Sequence, residues 1–148
     1  MDSRYPKFGA LPEDVLPLLW TCKNLGMNVV GVSFHVGSDC YRASAYADAI
    51  RQAREVYDVA LSVGYKMTLL DVGGGYPGDS TRTITLEDIE VEIKEALGVY
   101  FPVDLGVQFI SEPGQLFVCA AGTLAITVIS KRKNKPSPDS KDPVCRHS

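Results

Sequence analysis

The chain has 148 residues, 45% hydrophobic and 22% charged, with 15 Lys and Arg against 18 Asp and Glu for a net charge of −3. That composition is ordinary for a globular protein; it excludes collagen-like and fully disordered chains, and no apolar run approaches the ~20 residues of a bilayer span. The length suits one domain with a real core, and falls well short of the roughly 250 residues that a closed eight-fold α/β barrel usually takes.

Taken in chain order, the first element is a predicted helix over Asp14 to Leu25, with Val15, Leu18, Leu19 and Cys22 at helical spacing. Asp14 is the expected N-cap, which places Pro17 at the third helical position, where its missing N–H costs nothing, and Gly26 ends the helix. Val29 to Phe34 is short, apolar and β-branched, as in a buried parallel strand. A long helix follows over Arg42 to Val63, with Tyr46, Ala49, Ile50, Ala53, Val56, Tyr57 and Ala60 as its inner stripe and Gly64 as its C-terminal stop. Met67 to Val72 reads as a second buried strand and is followed by a Gly-Pro loop to about Thr83. Thr85 opens a third helix carrying Leu86, Ile89, Ile93, Ala96, Leu97 and Tyr100, and Val107 to Ser111 is a third strand.

Strand–helix alternation of this kind implies right-handed crossovers and a parallel sheet. Three such units make an arc rather than a closed barrel. After Gly114, an apolar turn from Leu116 to Ala121 leads to Thr123–Ile129, which reads as a strand with no helix after it, the entry to a β-type domain. The expected organisation is therefore a partial α/β barrel over residues 1–121, the first strand of a β domain over 122–132, and a disordered tail over 133–148. From Lys131 onward six basic residues face two acidic ones, a net of +4, which leaves −7 for the rest. An acidic body argues against nucleic acid as the main partner, and a short basic Pro/Ser/Lys end reads as solvated chain. The four cysteines, Cys22, Cys40, Cys119 and Cys145, form no CxxC pair, so no metal site is expected. With no signal-peptide layout in MDSRYPKFGA, reduced thiols in a cytoplasmic protein with no membrane attachment are the expectation.

In parallel α/β folds ligands bind at the carboxyl ends of the strands. There the first strand delivers His35, the second Gly73, Gly74 and Gly75, and the third Glu112. Each also has a bland reading: a structural histidine, a tight turn, an exposed turn residue. Together they suit an aromatic, phosphorylated cofactor, with glycine amides for the phosphate, imidazole for a ring face and carboxylate for a protonated ring nitrogen. Pyridoxal 5′-phosphate (PLP) has these three features.

The segments GVSFHVGSDC, LLDVGGGYPG and ISEPG, in this order and at these separations, resemble eukaryotic ornithine decarboxylase and its close homologues, which have a PLP-binding barrel of the (β/α)8 type. KFGA near the start, with Lys7, and TLAITVISK near the end are similar to family text as well. The resemblance implies that His35 is the catalytic histidine that stacks on the cofactor ring. It implies that Ser38, Gly73, Gly74 and Gly75 contact the phosphate and that Glu112 pairs with the pyridine nitrogen. Gly114 and Gln115 complete the EPG motif, where the family has arginine after the glycine; Gln115 in its place implies weakened or lost PLP binding. Asp39, where the family usually has glycine, adds a negative charge beside Ser38 and acts in the same direction.

The resemblance further implies PLP-dependent decarboxylation of ornithine in polyamine synthesis, by a homodimer whose lysine that anchors the cofactor lies upstream of this text. The chain alone is therefore expected to be an inactive fragment. A second reading is a non-catalytic paralogue resembling the antizyme inhibitors, which bind antizyme. A third is a truncated product whose raw sheet edges invite aggregation.

Overall fold

The computed structural model describes residues 9–38, 40, 42–78, 84–123, 125–127 and 129. In chain order these form α1 (Pro12–Asn24), β1 (Gly31–Ser33), α2 (Ser44–Val63), β2 (Leu69–Asp71), α3 (Leu86–Tyr100), β3 (Gln108–Ile110) and a short α4 (Gly114–Val118), with single 3-10 turns at Val103–Leu105 and Cys119–Ala121. The three strands make one parallel sheet in the order β1-β2-β3. Gly31, Leu69 and Gln108 are in register, as are Ser33, Asp71 and Ile110. Because side chains alternate across a strand, Val32, Leu70 and Phe109 share one face, while Ser33, Asp71 and Ile110 share the other.

The helices cover the first face. The core joins the α2 stripe (Ile50, Ala53, Tyr57, Ala60 and Val63) to Val15 and Leu19 of α1, Ala96 of α3, and Leu70, Val72 and Phe101. Rings lock the far end of this layer: Tyr57 meets Phe101 edge-on at 5.4 Å, and Phe101 meets Phe109 at 6.5 Å. Arg54 ties α2 to α3 by donating to the Tyr100 carbonyl at 2.7 Å while its guanidinium lies over Tyr57 and Phe101. At the other end Lys23 of α1 donates to the Val63 carbonyl, meeting one of the acceptors that a helix leaves unpaired at its C-terminus. Gly64 caps α2 with φ +95°, the left-handed conformation that glycine adopts without penalty.

The start of α1 differs from the sequence reading. The helix begins at Pro12, with Leu11 as N-cap, so Asp14 sits inside the first turn and Pro17 lies within the helix. Proline's fixed φ makes Pro12 a ready first residue, and this preference outweighs the capping tendency of Asp14. The strands have three residues each, shorter than the apolar runs predict, although ladder hydrogen bonds continue past both ends. Residues 116–121, expected as a turn, fall in α4 and the 3-10 turn that follows. In the stretch 123–129, the described residues form no strand and no backbone hydrogen bond to another described residue; Leu124 and Val128 lie outside the described residues. Among the described residues no helix is long and apolar enough to cross a membrane.

Candidate functional site

The parallel ladder runs on beyond the carboxyl ends of the strands and sets the site. Phe34 N–H donates to the Asp71 carbonyl at 3.2 Å, Val72 N–H to the Ile110 carbonyl at 3.0 Å, and Glu112 N–H to the Gly73 carbonyl at 2.7 Å. Three loops are thereby zipped together at one rim, each delivering its motif beside the next.

The glycines are where these loops touch. A Cβ on Gly73 would overlap the Phe34 carbonyl oxygen, one on Gly75 the Gly37 carbonyl oxygen, and one on Gly74 would lie 2.5 Å from the Glu112 carbonyl oxygen. Gly73 and Gly75 also have φ of +66° and +92°. The run therefore has a structural role as well as any binding one: the middle loop is sandwiched backbone-to-backbone between its neighbours. Gly78, further along the same loop, abuts α4, where a Cβ would come within 2.6 Å of the Gln115 carbonyl oxygen.

His35 is exposed at the rim, and its Nδ1 accepts the Gly74 N–H at 3.2 Å. The Gly73 N–H donates to Asp71 Oδ1 at 2.9 Å, and Asp71 Oδ2 in turn accepts the Ser33 hydroxyl at 3.1 Å. Two of the three amides expected to hold a phosphate are thus engaged inside the protein. The Gly73 and Gly74 amides have partners within the rim itself, Asp71 and His35. Gly75 is the member of the run whose amide no described residue engages.

Ser38 is exposed and follows Gly37, whose carbonyl lies under Gly75. Glu112 is exposed, and its backbone carbonyl accepts the Gly114 N–H at 2.8 Å. Gly114 opens α4, and a Cβ there would meet nothing within 4 Å, so its lack of a side chain answers no packing demand. Gln115 is half-buried in the same turn. The geometry thus sets Gly74 against both the His35 ring and the Glu112 backbone, with Ser38 and Gln115 on the loops to either side. Lys7 and Asp39 lie outside the described residues.

Sequence reasoning missed the layer beneath. Tyr46 of α2 is fully buried, stacks on Tyr76 with ring centroids 5.4 Å apart, and donates its hydroxyl to the Gly74 carbonyl at 3.0 Å. Burial, and secondly the neighbouring Tyr76 and Cys40, push the Tyr46 phenol far above the usual tyrosine range, so it remains a donor. Burial also raises Tyr76, against the lowering effect of its hydrogen bond with Ser111. Tyr46 looks like any core residue in the α2 stripe, so no sequence signal separates it. Asp71 did carry a signal, a carboxylate in an otherwise apolar strand.

A parallel α/β sheet with an imidazole, a glycine run and a glutamate at its carboxyl rim is consistent with part of an α/β barrel, a fold whose ligands bind at that rim. Residues 2–119 match the family described as pyridoxal-dependent decarboxylase, pyridoxal binding domain, and the chain belongs to that family. It is 48% identical over 127 residues to antizyme inhibitor 2 of Xenopus laevis, covering 86% of this chain and 28% of that protein. It is 44% identical over 139 residues to ornithine decarboxylase of Mus musculus, covering 92% and 30%. Among solved structures, it resembles the arginine decarboxylase of Paramecium bursaria Chlorella virus bound to agmatine, at 38% identity and a TM-score of 0.68 over 75% of this chain and 30% of that one. The lysine/ornithine decarboxylase of Vibrio vulnificus complexed with putrescine matches at 33% identity and a TM-score of 0.66, over 77% and 31%. The chain therefore spans about 30% of the length of the curated relatives it matches.

Proposed function

We propose that this chain is the PLP-binding arc of an ornithine-decarboxylase-like barrel acting in polyamine synthesis, with residues 1–121 forming part of the barrel and 122–132 opening a β domain. One observation carries the reading: a single residue, Gly74, touches both the His35 ring and the Glu112 backbone, which supports the imidazole and the carboxylate serving one small ligand. These residues fit a pyridoxal ring. His35 would cover one face and keep water from it, and Glu112 would hold the proton on the pyridine nitrogen. The phosphate would fall to the Gly75 amide, the Ser38 hydroxyl and Gln115. When bound, PLP supplies a protonated pyridine that withdraws electrons from an amino-acid substrate as it loses carbon dioxide. The substrate would be a basic amino acid such as ornithine, and the assembled protein a homodimer.

A second reading, a non-catalytic paralogue that binds antizyme, is favoured by specific residues. Gln115 offers no charge to a phosphate, and the Gly73 and Gly74 amides are already satisfied within the protein. Both weaken anion binding.

Gln115 provides the test. Restoring a charge-assisted contact is worth roughly 1.5–3 kcal/mol, so Gln115→Arg is expected to tighten pyridoxine 5′-phosphate binding about 10- to 100-fold by equilibrium dialysis. Pyridoxine 5′-phosphate lacks the aldehyde of PLP and cannot react with surface lysines. Unphosphorylated pyridoxine should be indifferent to the substitution. Equal binding of the two ligands by both proteins would overturn the assignment of this rim to a phosphorylated pyridine.

A further inference from the structure

We propose that Tyr46 is a positioning residue for His35, acting through Gly74. The observation behind it is a chain of contacts that crosses one residue: the Tyr46 hydroxyl donates to the Gly74 carbonyl at 3.0 Å, and the Gly74 N–H donates to His35 Nδ1 at 3.2 Å. A glycine has the widest backbone freedom of any residue, so an amide meant to hold an imidazole needs its own residue pinned. Asp71 and Glu112 fix the residue before it, through the Gly73 N–H and carbonyl. Tyr46 fixes Gly74 itself, from below.

The tyrosine is built for this. It is 0% exposed, its ring is clamped against Tyr76 at 20° between planes, and its phenol stays protonated through burial. Because Nδ1 accepts from Gly74, the proton of the neutral ring belongs on Nε2, so the relay selects a tautomer as well as an orientation. That His35 then presents a fixed face to a cofactor rests on the function proposed above; the relay itself does not.

The experiment uses the full chain, 15N-labelled, with His147→Gln to leave His35 as the sole imidazole. The wild-type background should show the Nε2–H tautomer and a 15N–15N coupling across the hydrogen bond from Gly74 N to His35 Nδ1. In Tyr46→Phe, which keeps the stacked ring, the coupling should weaken and the tautomer preference should fall about two- to tenfold, the range one neutral hydrogen bond contributes. Tyr76→Phe should leave both unchanged, since it removes only the hydrogen bond to Ser111. An unchanged tautomer ratio in folded Tyr46→Phe overturns the proposal. So does a wild-type chain without the coupling, a result that needs no variant to fold. If the coupling responds to Tyr46 while pyridoxine 5′-phosphate does not bind at all, the relay stands and the cofactor reading falls.

Discussion

The structure asks opposite things of Gly73, in the rim loop, and Gly98, inside α3. At Gly73, φ is +66° and a Cβ would overlap the Phe34 carbonyl, so Gly73→Ala should destabilise the protein by about 1–3 kcal/mol, read as a lower melting temperature. At Gly98, inside α3, a Cβ meets nothing within 4 Å, and Gly98→Ala should stabilise by roughly 0.5–1 kcal/mol through helix propensity. Equal responses from the two variants would refute the account of the loops packed backbone-to-backbone. The same residues show what was legible. That His35, the glycines and Glu112 share a rim followed from strand direction alone. That two glycine amides are consumed by Asp71 and His35 did not, because hydrogen-bond partners depend on ångström-scale placement that residue type leaves open.

Among the elements, α3 is the one whose start the sequence marked most clearly. Thr85 is its N-cap: the Thr85 hydroxyl accepts from Asp88 N–H at 3.2 Å, and the Asp88 carboxylate accepts Thr85 N–H at 2.8 Å, a reciprocal capping box. The backbone N–H of Thr85, and then its hydroxyl, hold the Asp88 carboxyl below the usual aspartate range. A carboxyl depressed in the folded state contributes stability above its unfolded value of about 3.9, and that contribution is lost as pH falls through the lower folded value. Asp88→Asn should therefore melt below wild type at neutral pH and converge with it in strong acid. A gap that stays constant from pH 7 down to 2 would contradict the box. The centre of α2 was nearly as legible: Tyr46, Ala49, Ile50, Ala53, Tyr57 and Ala60 of the predicted stripe are buried, while Val56 is half-buried and Val63, outside the predicted stripe, is buried. The start of α1 was not, because two adjacent signals, Pro12 and Asp14, compete there and sequence alone does not rank them.

At the scale of the molecule, an open three-stranded sheet leaves β1 and β3 each bonded on one side only among the described residues. Phe109 and Ile110 of β3 are 44% and 47% exposed, so an unpaired backbone edge coincides with apolar side chains. The chain in isolation should self-associate, with a sedimentation mass that rises above the monomer value as concentration increases. Ile110→Lys should suppress the rise; a monomer at every concentration would count against the open arc. The α/β order and the parallel sheet could be read from alternating apolar runs. Strand lengths could not, since a run stays apolar through the residues that flank a strand. The account rests on His35, Gly75 and Glu112 serving one ligand, and a chemical-shift map of the labelled chain titrated with pyridoxine 5′-phosphate tests that most directly. Shifts converging on these three residues and on Ser38, saturating together with one dissociation constant, are the expected result. Shifts scattered over surface lysines and arginines, with the rim unmoved, would contradict it.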